Sequence, residues 1–179
     1  GNQVEVNPRL DFGFAEGLRA LLRQDPNVIL VGEIRDEETA KIAVRASLTG
    51  ILVFSTLHAN TAPGAVTTLY NFKIPPFLIA GSLVGVIAQR LVRTICPHCK
   101  EGYSPSAEEI EEIGIRGRKK VKLYAGAGCR RCFNTGYFGR AGVFEVMEVG
   151  EEIRRLVREQ ASEREIMKVA VGEGMVPLH

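Results

Sequence analysis

The chain has no tryptophan and few aromatic residues, 7% in all. That weighs against a nucleic-acid face, which interleaves basic side chains with stacking rings. Charge of one sign is also lacking: 23 Lys and Arg stand against 21 Asp and Glu, for a net charge of +2. So small an excess gives no electrostatic case for nucleic acid or for a membrane surface. The one basic run, Arg116, Arg118, Lys119, Lys120 and Lys122, reads as a solvated loop. No apolar leader opens the chain, which begins GNQVEVNPRL. The longest apolar stretch, Pro75 to Ala88, is too short and too glycine-interrupted to cross a bilayer. Because it ends in Gln89-Arg90, it reads as a buried helix over 77–89. These absences predict a cytosolic protein, unless the chain is cut from something larger with its own address. Also missing is any G-x-x-x-x-G-K-[ST] phosphate-binding loop.

What is present has the balance of a soluble globular protein, 45% apolar and 25% charged. The 179 residues suffice for one domain, or one domain with a small satellite. Two regimes meet near residue 95. In the first, Leu18, Leu21 and Leu22 sit at helical spacing, and Val28 to Val31 reads as a short strand covered on both faces. Asp36 caps a helix through Ala40, Val44 and Leu48, which Gly50 stops. Ile51 to Leu57 reads as a second buried strand, and Asn60 as the cap of another helix with Pro63 in its first turn. Leu91 to Ile95 reads as a further strand. Strands alternating with helices predict an α/β fold with a parallel sheet. In the second regime, Ser106 with Glu109 forms a capping box, and 114–128 reads as loop and strand. Val143 to Val149 then reads as a strand, followed by helices over Glu151 to Glu159 and Ser162 to Glu173.

Three groups of residues carry chemistry. The run Val28-Ile29-Leu30-Val31-Gly32-Glu33-Ile34-Arg35-Asp36 is an apolar strand ending in a carboxylate. This is the Walker B pattern, which fixes the carboxylate at the C-terminal edge of a sheet, where ligands bind in open α/β folds. There Glu33 can hold Mg²⁺ through water, because Mg²⁺ dehydrates reluctantly. An ordinary strand-to-loop transition produces the same pattern. The run Ser55-Thr56-Leu57-His58-Ala59-Asn60-Thr61-Ala62 lies at a second strand-to-helix junction. Its hydroxyls, its imidazole and the amides of the following helix can together face a phosphate. The competing reading is a polar helix cap with His58 satisfied by a backbone carbonyl. Two such polar strand ends in adjacent βα units reach the same sheet edge, which favours a site.

The cysteines come in two pairs, Cys96-x-x-Cys99 and Cys129-x-x-Cys132. Two such knuckles form a closed tetrahedral zinc site, with Zn–S near 2.3 Å. Chance seldom gives paired spacing, and a redox Cys-x-x-Cys normally occurs once, at a helix start. His98 is an alternative ligand that adds nothing needed. Four sulfurs leave no open position, so the zinc is expected to be structural.

In their order, these groups resemble the ATPases of type II secretion and type IV pilus assembly. Leu22-Arg23-Gln24-Asp25-Pro26 through Val31-Gly32-Glu33-Ile34-Arg35-Asp36 is similar to that family's Walker B region, and Ser55-Thr56-Leu57-His58 with Asn60 to its histidine box. Ala88-Gln89-Arg90-Leu91-Val92-Arg93 leading into Cys96-Pro97-His98-Cys99 resembles the run into its zinc module. Gly128-Cys129-Arg130-Arg131-Cys132 with Thr135-Gly136-Tyr137 and Gly139-Arg140 closes that module. The resemblance implies a partial RecA-like parallel sheet with flanking helices over 1–95, a four-cysteine zinc module over 96–142, and a C-terminal strand and helices over 143–179. It implies a hexameric ATPase that uses ATP and Mg²⁺ to drive an inner-membrane platform protein that assembles pilin or pseudopilin subunits. Such a motor is cytoplasmic and peripheral at the inner membrane, with no nucleic-acid partner. Glu33 would then hold Mg²⁺ through water, and His58 would orient the γ-phosphate. Arg35 and Thr56 would help Glu33 and His58 bind nucleotide, and one of Arg19, Arg23 and Arg35 would serve a phosphate or a neighbouring subunit, unless these arginines form plain salt bridges.

The missing phosphate loop departs from that family. It predicts that the chain is a fragment, that it hydrolyses ATP negligibly by itself, and that the first strands of the sheet are absent and leave an edge uncovered. Two other classes compete: a zinc-stabilised protein-interaction module without catalysis, and a zinc-ribbon nucleic-acid binder. The composition speaks against the second of these.

Overall fold

A computed structural model describes residues 2–7, 12–114 and 121–178. Most of the basic run expected as a solvated loop, Arg116 to Lys120, lies outside the described residues. The chain divides into two compact units. One comprises Gly1–Ala88 with Phe144–His179, and the other Gln89–Val143.

The first unit opens with helix α1 (Phe14–Leu22), followed by strand β1 (Val28–Val31), helix α2 (Glu37–Leu48) and strand β2 (Leu52–Ser55). β1 and β2 pair in parallel, with Val28 opposite Leu52 and Val31 opposite Ser55. A parallel pair needs a crossover, and α2 supplies it. Asp36 starts α2 as expected: its Oδ1 accepts the Thr39 amide at 2.7 Å. The inner face of α2 is mostly alanine (Ala40, Ala43 and Ala46, with Val44), which lets the helix lie close to the strands.

Both strands were expected to be covered on each face, and they are not. Ile29 and Val31 are buried, whereas Val28 and Leu30 are 56% and 75% exposed. Leu52 and Phe54, their register partners, are also exposed. Side chains alternate across a strand, and the buried core lies on the Ile29 and Val31 side.

Helix α3 (Ala62–Asn71) follows, then α4 (Pro76–Ser82). Thr61, not Asn60, is the cap of α3: its Oγ1 accepts the Gly64 amide at 2.9 Å. The helix expected over 77–89 ends at Ser82, and strand β3 (Gly85–Ile95) begins three residues later. Val86 and Ile87 are β-branched and follow Gly85, a composition that favours strand over helix. β3 pairs with β6 (Tyr137–Glu148), which starts well before the expected Val143. After β6 come α6 (Glu151–Arg158) and α7 (Glu163–Gly172). Both pack into the first unit, α6 against α4 and α7 against α3. Arg154 of α6 donates to the Ala80 carbonyl of α4, and Tyr70 Oη of α3 donates to the Val157 carbonyl at 2.8 Å. One core runs through Leu18, Ile29, Val66, Ile79, Met147 and Ile153.

The second unit holds an antiparallel pair, β4 (Lys100–Tyr103) with β5 (Leu123–Gly126), and the short helix α5 (Ala107–Glu112) between them. The Ser106 and Glu109 capping box is present, with the Glu109 amide donating to Ser106 Oγ at 3.2 Å.

Candidate functional site

The two strand ends expected to carry chemistry lie side by side. Past β1 and β2 the backbone pairing continues: the Ile34 amide donates to the Thr56 carbonyl at 2.8 Å. Thr56 Oγ1 donates to the Gly32 carbonyl, also at 2.8 Å. These two bonds knit the Glu33 loop to the His58 loop, so the two side chains project from one framework. Thr56 thus spends its hydroxyl proton on the scaffold, keeping its lone pairs for a ligand.

Glu33 is the more sheltered partner, 23% exposed against 91% for His58. Arg35 Nε lies 2.5 Å from Glu33 Oε2, and His58 Nε2 lies 3.9 Å from the same oxygen. Both contacts converge on Oε2. A carboxylate held this way can take part in a hydrated cation's shell, and the exposed imidazole beside it can meet an anionic group. Of the arginines near the site in sequence, Arg35 reaches Glu33. Arg19 instead pairs with Glu38 and, at 3.7 Å, with Glu16. The hydrogen bond to Glu38 holds its guanidinium above the usual arginine value. Arg23 occupies the C-cap of α1.

The His58 loop is tied at further points. Thr68 Oγ1 donates to the His58 carbonyl at 3.3 Å. Thr61 Oγ1 donates to Glu163 Oε1 at 2.6 Å, joining the N-terminus of α3 to that of α7. The Ala62 amide donates to Oε1 of the fully buried Glu145 at 2.6 Å. Glu163 and Glu145 went unnoticed in the sequence. The one available signal for Glu145 was a lone acid in the strand run Val143-Phe144-Glu145-Val146-Met147.

In the second unit, the four cysteine sulfurs converge to within 4.8 Å of one another. The Cys99 amide donates to the Cys96 carbonyl at 3.3 Å and the Cys132 amide to the Cys129 carbonyl at 3.2 Å, so each pair forms a tight turn. Across the pairs, Cys96 Sγ lies 3.9 Å from Cys129 Sγ, and Cys99 Sγ lies 3.8 Å from Cys132 Sγ. A tetrahedron with Zn–S near 2.3 Å has edges of about 3.8 Å. The donor set and its spacing therefore fit zinc. Burial raises the Cys99 thiol to about 12. Burial also works against ionising Cys132, but hydrogen bonds from the Cys129 and Gly136 amides outweigh it and bring that thiol down to about 6. His98 lies outside this set, with Nε2 at 3.1 Å from Arg131 Nη1.

The family described as "Type II/IV secretion system protein" matches residues 1–177. The chain is 53% identical over 166 residues to the type II secretion system ATPase E of Vibrio cholerae, covering 93% of this chain and 33% of that protein. It is 47% identical over 179 residues to the type IV pilus assembly ATPase PilB of Thermus thermophilus, covering 99% of this chain and 20% of that protein. The chain thus spans a third or less of the length of these relatives. Among solved structures, the pilus retraction motor PilT with bound ADP matches with a TM-score of 0.54 at 27% identity, over 93% of this chain and 41% of that one. The Legionella pneumophila ATPase DotB matches with a TM-score of 0.59 at 24% identity, over 96% of this chain and 37% of that one, a likeness of fold.

Proposed function

The chain belongs to the type II/IV secretion system protein family, and on that premise we propose that it forms part of a hexameric ATPase powering pilin or pseudopilin assembly for type II secretion or type IV pili. The observation that carries this reading is the convergence of Arg35 and His58 on one Glu33 oxygen, at the joined ends of two parallel strands. The β1-α2-β2 unit is read as part of a RecA-like parallel sheet. Residues 1–95 make up that part of the core, 96–142 the zinc module, and 143–179 the C-terminal strand and helices.

In this reading Glu33 holds Mg²⁺ through water and His58 orients the γ-phosphate of ATP, while Arg35 lends charge at the nucleotide and Thr56, its proton held by Gly32, offers its oxygen to the hydrated cation bound with it. Phosphoryl transfer is catalysed chiefly by positioning and charge stabilisation. Arg35 supports this, since it balances the Glu33 carboxylate until a cation and a polyphosphate arrive. Cys96, Cys99, Cys129 and Cys132 hold a structural zinc with no open position. The motor works in the cytoplasm, peripheral to the inner membrane, against a platform protein there. In the described residues no helix is long and apolar enough to cross a membrane.

The test uses the full-length protein that contains this chain. Mg²⁺-dependent ATP hydrolysis is expected, falling by about a hundredfold in Glu33→Gln and in His58→Ala, the scale of losing one charge-stabilising group. Hydrolysis unchanged in both variants would remove these residues from the reaction.

A further inference from the structure

Glu145 is the one charged side chain in the chain's described core that is wholly buried, at 0% exposure. Its carboxylate touches none of the groups assigned to nucleotide or zinc. Both of its oxygens accept backbone amides: Oε1 from Ala62 at 2.6 Å and Oε2 from Leu178 at 3.2 Å. Burying a carboxylate is expensive unless its acceptors are satisfied and compensating positive charge is near. Here the compensation comes from the N-terminus of α3, where free amides and the helix dipole favour negative charge.

The amide that Glu145 holds is the first of α3, so it marks the end of the His58 loop. From Ser55 to Ala62 that loop has two fixed ends. Thr56 is bound to the Glu33 loop through its hydroxyl and carbonyl, and Ala62 is bound to Glu145. The Thr61 contact to Glu163 is exposed and therefore weaker. The Ala62 contact is sheltered from water and charge-assisted, and it is the stronger of the two.

We infer that Glu145 is a positioning residue for the His58 loop, and that by sharing its carboxylate with Leu178 it makes the C-terminal segment a structural partner of that loop. The functional weight of this inference rests on the role proposed above for His58, but the geometry it asserts does not. Glu145 touches no nucleotide group. It fixes where the loop ends, and so limits the directions in which His58 can point. The segment at 175–178 then acts as a brace: Met175 is buried in the core, and Leu178 presents its amide to Glu145.

The test is made on the 179-residue chain without nucleotide, so that a failed ATPase reading leaves it intact. In the unaltered chain, amide exchange measured by nuclear magnetic resonance should show Ala62 protected at least about tenfold beyond a solvated helix-start amide, as one charge-assisted hydrogen bond requires. In Glu145→Gln, which keeps the shape but offers one oxygen acceptor for two amides, at least one of Ala62 and Leu178 should lose its protection. The His58 ring signals should shift, while Ile29 and Ala40 keep their protection. Glu145→Asp, which keeps the carboxylate, should restore part of the Ala62 protection. An unprotected Ala62 in the unaltered chain would overturn the inference, even if the variants fail to fold. So would a Glu145→Gln chain in which the His58 signals are unmoved, or in which all amides lose protection alike.

Discussion

Gly126 and Gly136 pass so close that a Cβ on Gly126 would lie 2.0 Å from the Gly136 carbonyl oxygen. A Cβ on Gly136 would lie 2.5 Å from the Gly126 carbonyl oxygen, and Gly136 also has a φ of +75°. That same Gly136 carbonyl accepts the Cys96 amide at 2.9 Å, so the crossing is built into the first cysteine turn. Neither clash is with a flexible side chain, so the backbone itself must move.

Gly136→Ala is therefore expected to damage the metal site. The left-handed backbone alone costs a non-glycine residue about 1–2 kcal/mol, and the clash adds to it. Zinc affinity in a competition titration with a chelator should fall by about tenfold or more. A Gly114→Ala control has a φ of +68° but nothing among the described residues within 4 Å of the new Cβ. It should leave zinc affinity unchanged, which separates backbone strain elsewhere in the unit from the crossing itself.

Metal content is a second test. Elemental analysis of the purified chain should find about one zinc per chain, the stoichiometry of a single four-sulfur tetrahedron. Cys132→Ser removes a buried ligand and should abolish stoichiometric zinc. Because ligand binding is folding free energy in small metal units, the same change should unfold 89–143 in a limited-proteolysis assay, with the core around Ile79 and Met147 left resistant. Full zinc occupancy in Cys132→Ser would exclude the four-thiolate site.

That the Glu33 and His58 loops lie side by side was readable in the sequence because each directly follows an apolar strand. Glu33 after Val31 and Thr56 after Ser55 are placed by strand direction alone, and parallel pairing brings them together. The cysteine spacing was equally direct, since a knuckle is a local structure. What could not be read was the facing of residues in unbroken apolar runs. Val28 to Val31 offers no polar residue to mark its outer side, so Leu30 looked as buried as Ile29. In β6 the alternation misleads: Phe144 and Val146 point outward while Glu145 points in. That inversion depends on the α3 N-terminus, some eighty residues earlier in the chain, which binds Glu145. The strand over 85–89 was hidden for a related reason, since the apolar run through it has no helical or strand period to separate the two.

Helix caps give a third prediction. Thr61 accepts the Gly64 amide and donates to Glu163, so it ties α3 to α7 as well as starting α3. Thr61→Ala should destabilise the chain by about 1 kcal/mol from the lost cap, read as a lower urea midpoint with an unchanged slope. Thr61→Ser keeps both hydrogen bonds and should recover most of that loss. Equal destabilisation by both changes would assign the effect to the lost methyl instead of the cap.

The facing of β1 can be tested by two neighbouring substitutions with opposite expectations. Ile29 is 4% exposed and packs within the core, so Ile29→Ala should cost about 2–5 kcal/mol through lost burial and the cavity left behind. Leu30, one residue on, is 75% exposed. Leu30→Lys places a charge where the side chain already meets water, and should change stability by no more than about 0.5 kcal/mol. If strand β1 were covered on both faces, as its unbroken apolar run suggests, the lysine would bury an unpaired charge and would be the more damaging change of the two. Urea unfolding of the two variants under identical conditions therefore decides which face of β1 is open in the 179-residue chain.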